Sequence, residues 1–186
     1  MSDIPWTWFV MRSSGLVAVG LLTIAVVLGV LGPLLRPTPR LTSISVHRAA
    51  SIAGSILIVG HIVLAVLDKW IVLDLTAAFV PGLAGWERWG VALGALSVDL
   101  MIVILLTTAT RSRTPGLWRR AHLLTYPVWA LAVGHGLLVG SDGAAMRTVA
   151  LVSAGLVLMA LSARLLVRPG KPAQVRADLV TAGALQ

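Results

Sequence analysis

The sequence predicts an all-α integral membrane helical bundle, with five transmembrane helices plus one partial interfacial or re-entrant segment. Runs of about twenty apolar residues recur along the chain, and each is long enough to cross the hydrocarbon core of a bilayer. Hydrophobic residues make up 58% of the 186 and charged residues only 12%, far from the balance of an ordinary soluble domain. The net charge of +8 sits in short basic clusters between the apolar runs. Such clusters orient membrane proteins and are not the footprint of nucleic-acid binding, so membrane lipid is the expected surrounding and nucleic acid is not expected as a partner.

Taken in order, Trp6, Trp8 and Phe9 form an interfacial aromatic cluster, and a first helix follows from about Ser13 to Leu35. The first ten residues contain Asp3 and no Lys or Arg, and no A-x-A pattern follows, so this run reads as a retained helix and not a signal peptide. Arg36, Pro37, Pro39 and Arg40 predict a rigid basic turn, because proline ends helices. A second helix runs from about Ile44 to Leu67. Trp70 to Trp86 is apolar but short, interrupted by Asp74 and Pro81, and reads as the partial segment. A third helix spans about Trp89 to Thr110, and a basic turn of sequence RSRTPGLWRR follows. The fourth helix covers about Ala121 to Val139, Ser141 to Gly143 form a tight connection, and the fifth covers about Ala145 to Val167. The bundle is one domain, residues 1–168, and 169–186 form a polar tail with a short helix near Val175 to Ala182.

Counting Lys and Arg by side places eleven on one face, among them Arg36, Arg40, Arg111 and Arg113, and four on the other. The positive-inside rule then puts the N-terminus outside and the C-terminus and tail in the cytoplasm, in a multi-pass protein of the cell membrane. On that topology the second and fourth helices run parallel.

Those two helices carry all four histidines, His47 and His61 fourteen residues apart and His122 and His135 thirteen apart. At about 1.5 Å rise per residue each pair spans roughly 20 Å, so the histidines meet in two layers near opposite membrane faces. Paired imidazoles across a bundle are what a six-coordinate haem iron requires. With no cysteine in the chain, such haem would be held non-covalently. Burying an unpaired imidazole in hydrocarbon is costly, so all four need partners. Once one ring nitrogen is committed to iron, the other is expected to bond a backbone carbonyl one turn back. On the second helix, His47, Ser51, Gly54, Ile58 and His61 share one stripe, whose small residues would let helices and porphyrin edges approach. On the fourth, the thirteen-residue spacing leaves His135 roughly 100° short of the position a fourteen-residue step would give. Pro127 lies between the two histidines as a candidate kink.

WRRAH at 118–122, Tyr126, HGLLVGSD at 135–142, and the HR of His47 and Arg48 with a second histidine fourteen residues on, resemble the ferric-reductase-like transmembrane domain. That family includes the membrane parts of NADPH oxidases and iron reductases and the haem subunit of a bacterial methionine sulfoxide reductase system. The resemblance covers roughly Trp8 to Arg168. It implies two b-type haems on His47, His61, His122 and His135 and electron transfer across the membrane. The chain departs from the full-length oxidases in having no GxGxxG after a strand and no room for a flavin or nicotinamide domain. A haem subunit of a transmembrane oxidoreductase is therefore expected, with no flavin or NAD(P)H domain of its own. A separate cytoplasmic reductase or flavoprotein, or membrane quinol, would supply its electrons. Iron with two histidine ligands would pass electrons without binding substrate.

Arg48, Arg119 and Arg120 adjoin the inner histidines, and Arg12 the outer ones, where guanidinium forks suit haem propionates as well as setting topology. The basic inner rim would also favour an acidic docking partner. Asp99 sits mid-helix in the third span, free to relay protons or to bond Ser97, Thr107 or another helix. Trp118, Tyr126 and Trp129 are candidates to pack on porphyrin. The alternative of a different class is a non-redox membrane scaffold, or a metal or proton transport protein, using the same histidines.

Overall fold

The computed structural model describes residues 6–35, 37–69, 73–140 and 143–167. The expected tail, the Ser141–Asp142 connection, Arg36 and Trp70 lie outside the described residues. The helices are α1 (Trp6–Leu31), α2 (Pro37–Leu67), α3 (Arg88–Ala109), α4 (Pro115–Ala121), α5 (Thr125–Val139) and α6 (Gly143–Leu166). α4 and α5 form one span, Pro115–Val139, so five segments are long and apolar enough to cross a membrane. The chain is an all-α, multi-pass bundle. Helices are the natural state of such runs, because lipid offers the backbone no hydrogen-bond partners.

α1 is the centre of the packing. It lies along α2 and also touches α5 and α6, while α3 packs along α5. Val26 and Val30 of α1 meet Val157 and Ala160 of α6, with Tyr126 and Trp129 of α5 packed against them. Trp129 Nε1 donates to Thr23 Oγ1 at 3.0 Å. Tyr126 and Trp129 thus pack in this helix core. Arg164 Nη1 donates to the Val30 carbonyl at 3.0 Å, satisfying an acceptor that the end of α1 leaves open. The outward faces remain apolar, with Leu151 75% and Leu158 63% exposed. Surfaces of this kind belong in lipid.

Several boundaries differ from expectation. α1 begins at Trp6, so the aromatic cluster is its first turn, and it ends in a 3-10 turn at Gly32–Leu34. α2 opens at Pro37 and holds Pro39 in its first turn. The expected Pro-rich turn is therefore helix, since the first turn has no intrahelical use for the N–H that proline lacks. The fourth span starts at Pro115, not Ala121, with proline again at the helix start. Trp118, Arg119 and Arg120 therefore sit on α4 and not in a turn.

The partial segment does not cross the bundle among the described residues; it is a short 3-10 turn, Leu75–Ala78, with irregular chain to Glu87. Asp74 caps it. Its Oδ1 accepts from Thr76 Oγ1 at 2.6 Å and from Thr76 N–H at 2.8 Å. These bonds, the hydroxyl's first, hold the Asp74 carboxyl below the usual carboxylate range. Ala77 and Ala84 pack on Val91 of α3 and Val139 of α5. The segment thus roofs one end of the bundle.

Candidate paired-histidine site

The two layers form as the spacing predicts. His47 and His122 have ring centroids 6.1 Å apart with planes at 66°. His61 and His135 have centroids 6.2 Å apart with planes at 89°. Pairing of first with first and second with second makes α2 parallel to the fourth span. With a metal–imidazole bond of about 2.0 Å and a ring nitrogen about 1.1 Å from its centroid, two imidazoles on opposite sides of one ion have centroids about 6.2 Å apart. Both layers meet that spacing.

The thirteen-residue step is partly absorbed by a 3-10 turn at His122–Leu124, between α4 and α5. Such a turn rotates about 120° per residue against about 100° in an α-helix, so three residues recover about 60° of the missing 100°. Pro127 explains its place, because it has no N–H for the Leu123 carbonyl four residues back. Thr125 Oγ1 donates to the His122 carbonyl at 2.9 Å and helps hold the turn.

Three histidines are fixed by the backbone of a neighbouring helix, and not by their own helix one turn back as expected. His47 Nδ1 lies 2.7 Å from the Ala25 carbonyl and His61 Nδ1 2.8 Å from the Met11 carbonyl, both on α1. His135 Nδ1 lies 2.8 Å from the Gly90 carbonyl on α3. A Nδ1–H donated there leaves Nε2 with the free lone pair, the tautomer a ligand needs. A glycine flanks each of these rings. A Cβ on Gly15 would stand 3.1 Å from His61, one on Gly29 3.5 Å from His47, and one on Gly94 2.7 Å from His135 Nδ1. These carbonyls and glycines were missed in the sequence, although Gly15 and Gly29 repeat the fourteen-residue step of His47 and His61.

A cavity of about 340 Å³ surrounds the His61–His135 layer, walled by α1, α2, α3 and α5. Leu73, Ala78 and Trp86 of the roof segment line it, as does Arg12. Its volume falls in the range of small-molecule and cofactor sites. Arg12 is half-buried, with its guanidinium 4.6 Å from the Trp8 ring centre. Arg48, Arg119 and Arg120 are exposed. α2 and α5 are not among the closely packed helix pairs, so the histidines reach towards each other across open space.

The α2 stripe divides. Ser51 Oγ donates to the His47 carbonyl, within its own helix, at 2.8 Å. Gly54 is turned to α1, where a Cβ would stand 3.5 Å from Leu21, so it serves helix contact. Asp99 is half-buried, but neither expected hydroxyl reaches it. Ser97 Oγ donates to the Val128 carbonyl and Thr107 Oγ1 to Val103 and Ile104. Trp118 lies against His122, ring centroids 5.3 Å apart.

Among the described residues no group of three or more His, Cys, Asp or Glu stands together. Each layer therefore offers two imidazoles. No protein-family model, curated protein or solved structure matches the chain.

Proposed function

We propose that the chain is a transmembrane di-haem b-type electron-transfer protein of the ferric-reductase-like kind. The observation that carries this reading is the pair of opposed imidazole layers with centroids 6.1 and 6.2 Å apart. His47 and His122 would hold one haem, and His61 and His135 the other. When bound, such haems take up and release single electrons. The chain's own work is to orient the rings. Carbonyls of Ala25, Met11 and Gly90 fix three tautomers, and glycines keep the space beside those rings clear. Arg12, which lines the mainly apolar cavity, would meet a propionate there.

The basic end, with Arg40, Arg111, Arg113, Arg119 and Arg120, faces the cytoplasm in this reading. Electrons enter there from a separate reductase, flavoprotein or quinol and leave at the His61–His135 layer towards an extracytoplasmic acceptor. The chain has no native cysteine, so single cysteines report topology cleanly. In intact cells an impermeant maleimide should label a cysteine at Gly143 and leave one at Thr38 or Ser112 unmodified. Labelling at Ser112 would reverse the orientation.

Transfer itself is tested in liposomes loaded with ferricyanide and given dithionite outside. Vesicles carrying the chain should bleach the trapped ferricyanide well above the protein-free rate. The His61→Ala/His135→Ala double variant should fall back to that rate. Equal rates with and without protein would sink the electron-transfer reading.

A further inference from the structure

α3 is an edge helix. Among the described residues it packs closely on α4, α5, the turn between them and the roof segment. Gly90 and Gly94 meet Val139 and the His135 ring, and Ser97 the Val128 carbonyl, so these three mark the face turned to α5. At about 100° per residue, Asp99 stands about 140° to 180° round the helix from all of them. Leu96, Val103 and Leu106 lie within about 60° of it, 39%, 42% and 64% exposed. Ala92, Leu96, Asp99, Val103 and Leu106 follow one another at steps of 4, 3, 4 and 3, the spacing of a seam along which a second helix packs.

Asp99 is the one ionisable group of this seam, eleven residues from Arg88 and twelve from Arg111, so roughly 16 Å along the helix from the nearer. The Ser97–Val128 hydrogen bond sets it at a depth between the two histidine layers. Among the described residues no hydrogen bond or ion pair reaches its carboxylate. Arg12 and Arg48 stand at the layers, beside Met11 and His47, and the other described cations nearer the ends of the spans. An ionised carboxylate at mid-membrane depth is costly unless it is paired. A lone acid on an outward seam therefore calls for a cation from outside the chain. A second copy packed on the same face by twofold symmetry would bring another carboxylate and no cation.

We propose that the outer face of α3 around Asp99 docks a transmembrane helix of a different protein, one that carries a lysine or arginine at mid-membrane depth. The ion pair sets the register of the two helices, and Leu96, Val103 and Leu106 supply the packing on either side of it. This face is turned away from the His135 ring and is independent of what the histidine layers hold.

The probe is a synthetic leucine-rich transmembrane peptide of about twenty residues with one central lysine, mixed with the purified full chain in liposomes. Association is read by energy transfer from a dye on Ser112→Cys, just beyond the end of α3, to a dye on the peptide. The lysine peptide should bind about tenfold more tightly than the same peptide with a central leucine. Asp99→Asn, close to isosteric, should remove that preference, and Asp99→Lys should transfer it to a peptide with a central glutamate. Val103→Trp, on the same face, should block the lysine peptide, while Leu158→Trp, on the outward side of α6, should not. Equal binding of the lysine and leucine peptides, a preference that survives Asp99→Asn, or a block by Leu158→Trp alone would each overturn the proposal. So would energy transfer between two copies of the chain that Asp99→Asn abolishes, which would make the occupant a second copy.

Discussion

His61→Ala and His135→Ala should each remove one haem, and the same one, lowering the content from about two per chain to about one. His47→Ala and His122→Ala should each remove the other. The pairing follows from the ring geometry, in which His61 faces His135 and His47 faces His122. Each haem would be held by both imidazoles of its layer, so either deletion should empty that layer. Redox titration of the variants, followed at the α band, checks this directly. Each pair should leave one midpoint, common to both members and different from that of the other pair. If His47→Ala and His135→Ala left the same midpoint, the parallel arrangement of α2 and the fourth span would be lost.

Gly94→Ala should be nearly as damaging, although it adds one methyl group. Its Cβ would stand 2.7 Å from His135 Nδ1, 3.0 Å from Cε1 and 3.2 Å from Cγ. An imidazole is rigid and cannot yield as a flexible chain end does. The ring must therefore leave the Gly90 carbonyl, giving up both its anchor and its aim. Overpacking of this kind costs about 1–3 kcal/mol of stability, and loss of the outer hydrogen bond weakens ligation about 10- to 100-fold. The His61–His135 haem should be depleted while the His47–His122 haem is retained. Gly20→Ala is the matched control, since a Cβ there meets nothing within 4 Å. Equal haem content in Gly94→Ala and Gly20→Ala would mean that His135 is not held as described.

The helices were legible because lipid solvent makes the pattern simple: apolar runs of spanning length become helices. Their starts were less so. Pro37, Pro39 and Pro115 read as breakers in the sequence, yet all three stand where helices begin and a missing N–H does no harm. The two layers were legible from the spacing of His47, His61, His122 and His135 together with the parallel course that the basic clusters give their helices. The turn that reconciles thirteen residues with fourteen was only half legible, as Pro127 gave its neighbourhood but not its 3-10 form. The anchors were not legible, because a carbonyl carries no residue signature and belongs to a different helix from its histidine. The glycines beside them, Gly15, Gly29 and Gly94, carry no mark in the sequence that tells which of them faces a ring.

The central claim is that four imidazoles hold two haems, and haem content tests it most directly. The chain should be purified in mild detergent after expression with ample haem supply. Its haem should then be extracted with acid acetone, identified as the b type, and counted against protein by amino-acid analysis. No cysteine can tether haem covalently, so all of it should extract. A ratio of about two per chain is predicted, with sharp Soret and α bands on reduction. A folded, helical preparation carrying no haem would contradict the claim and return the histidines to a scaffold, metal or proton role.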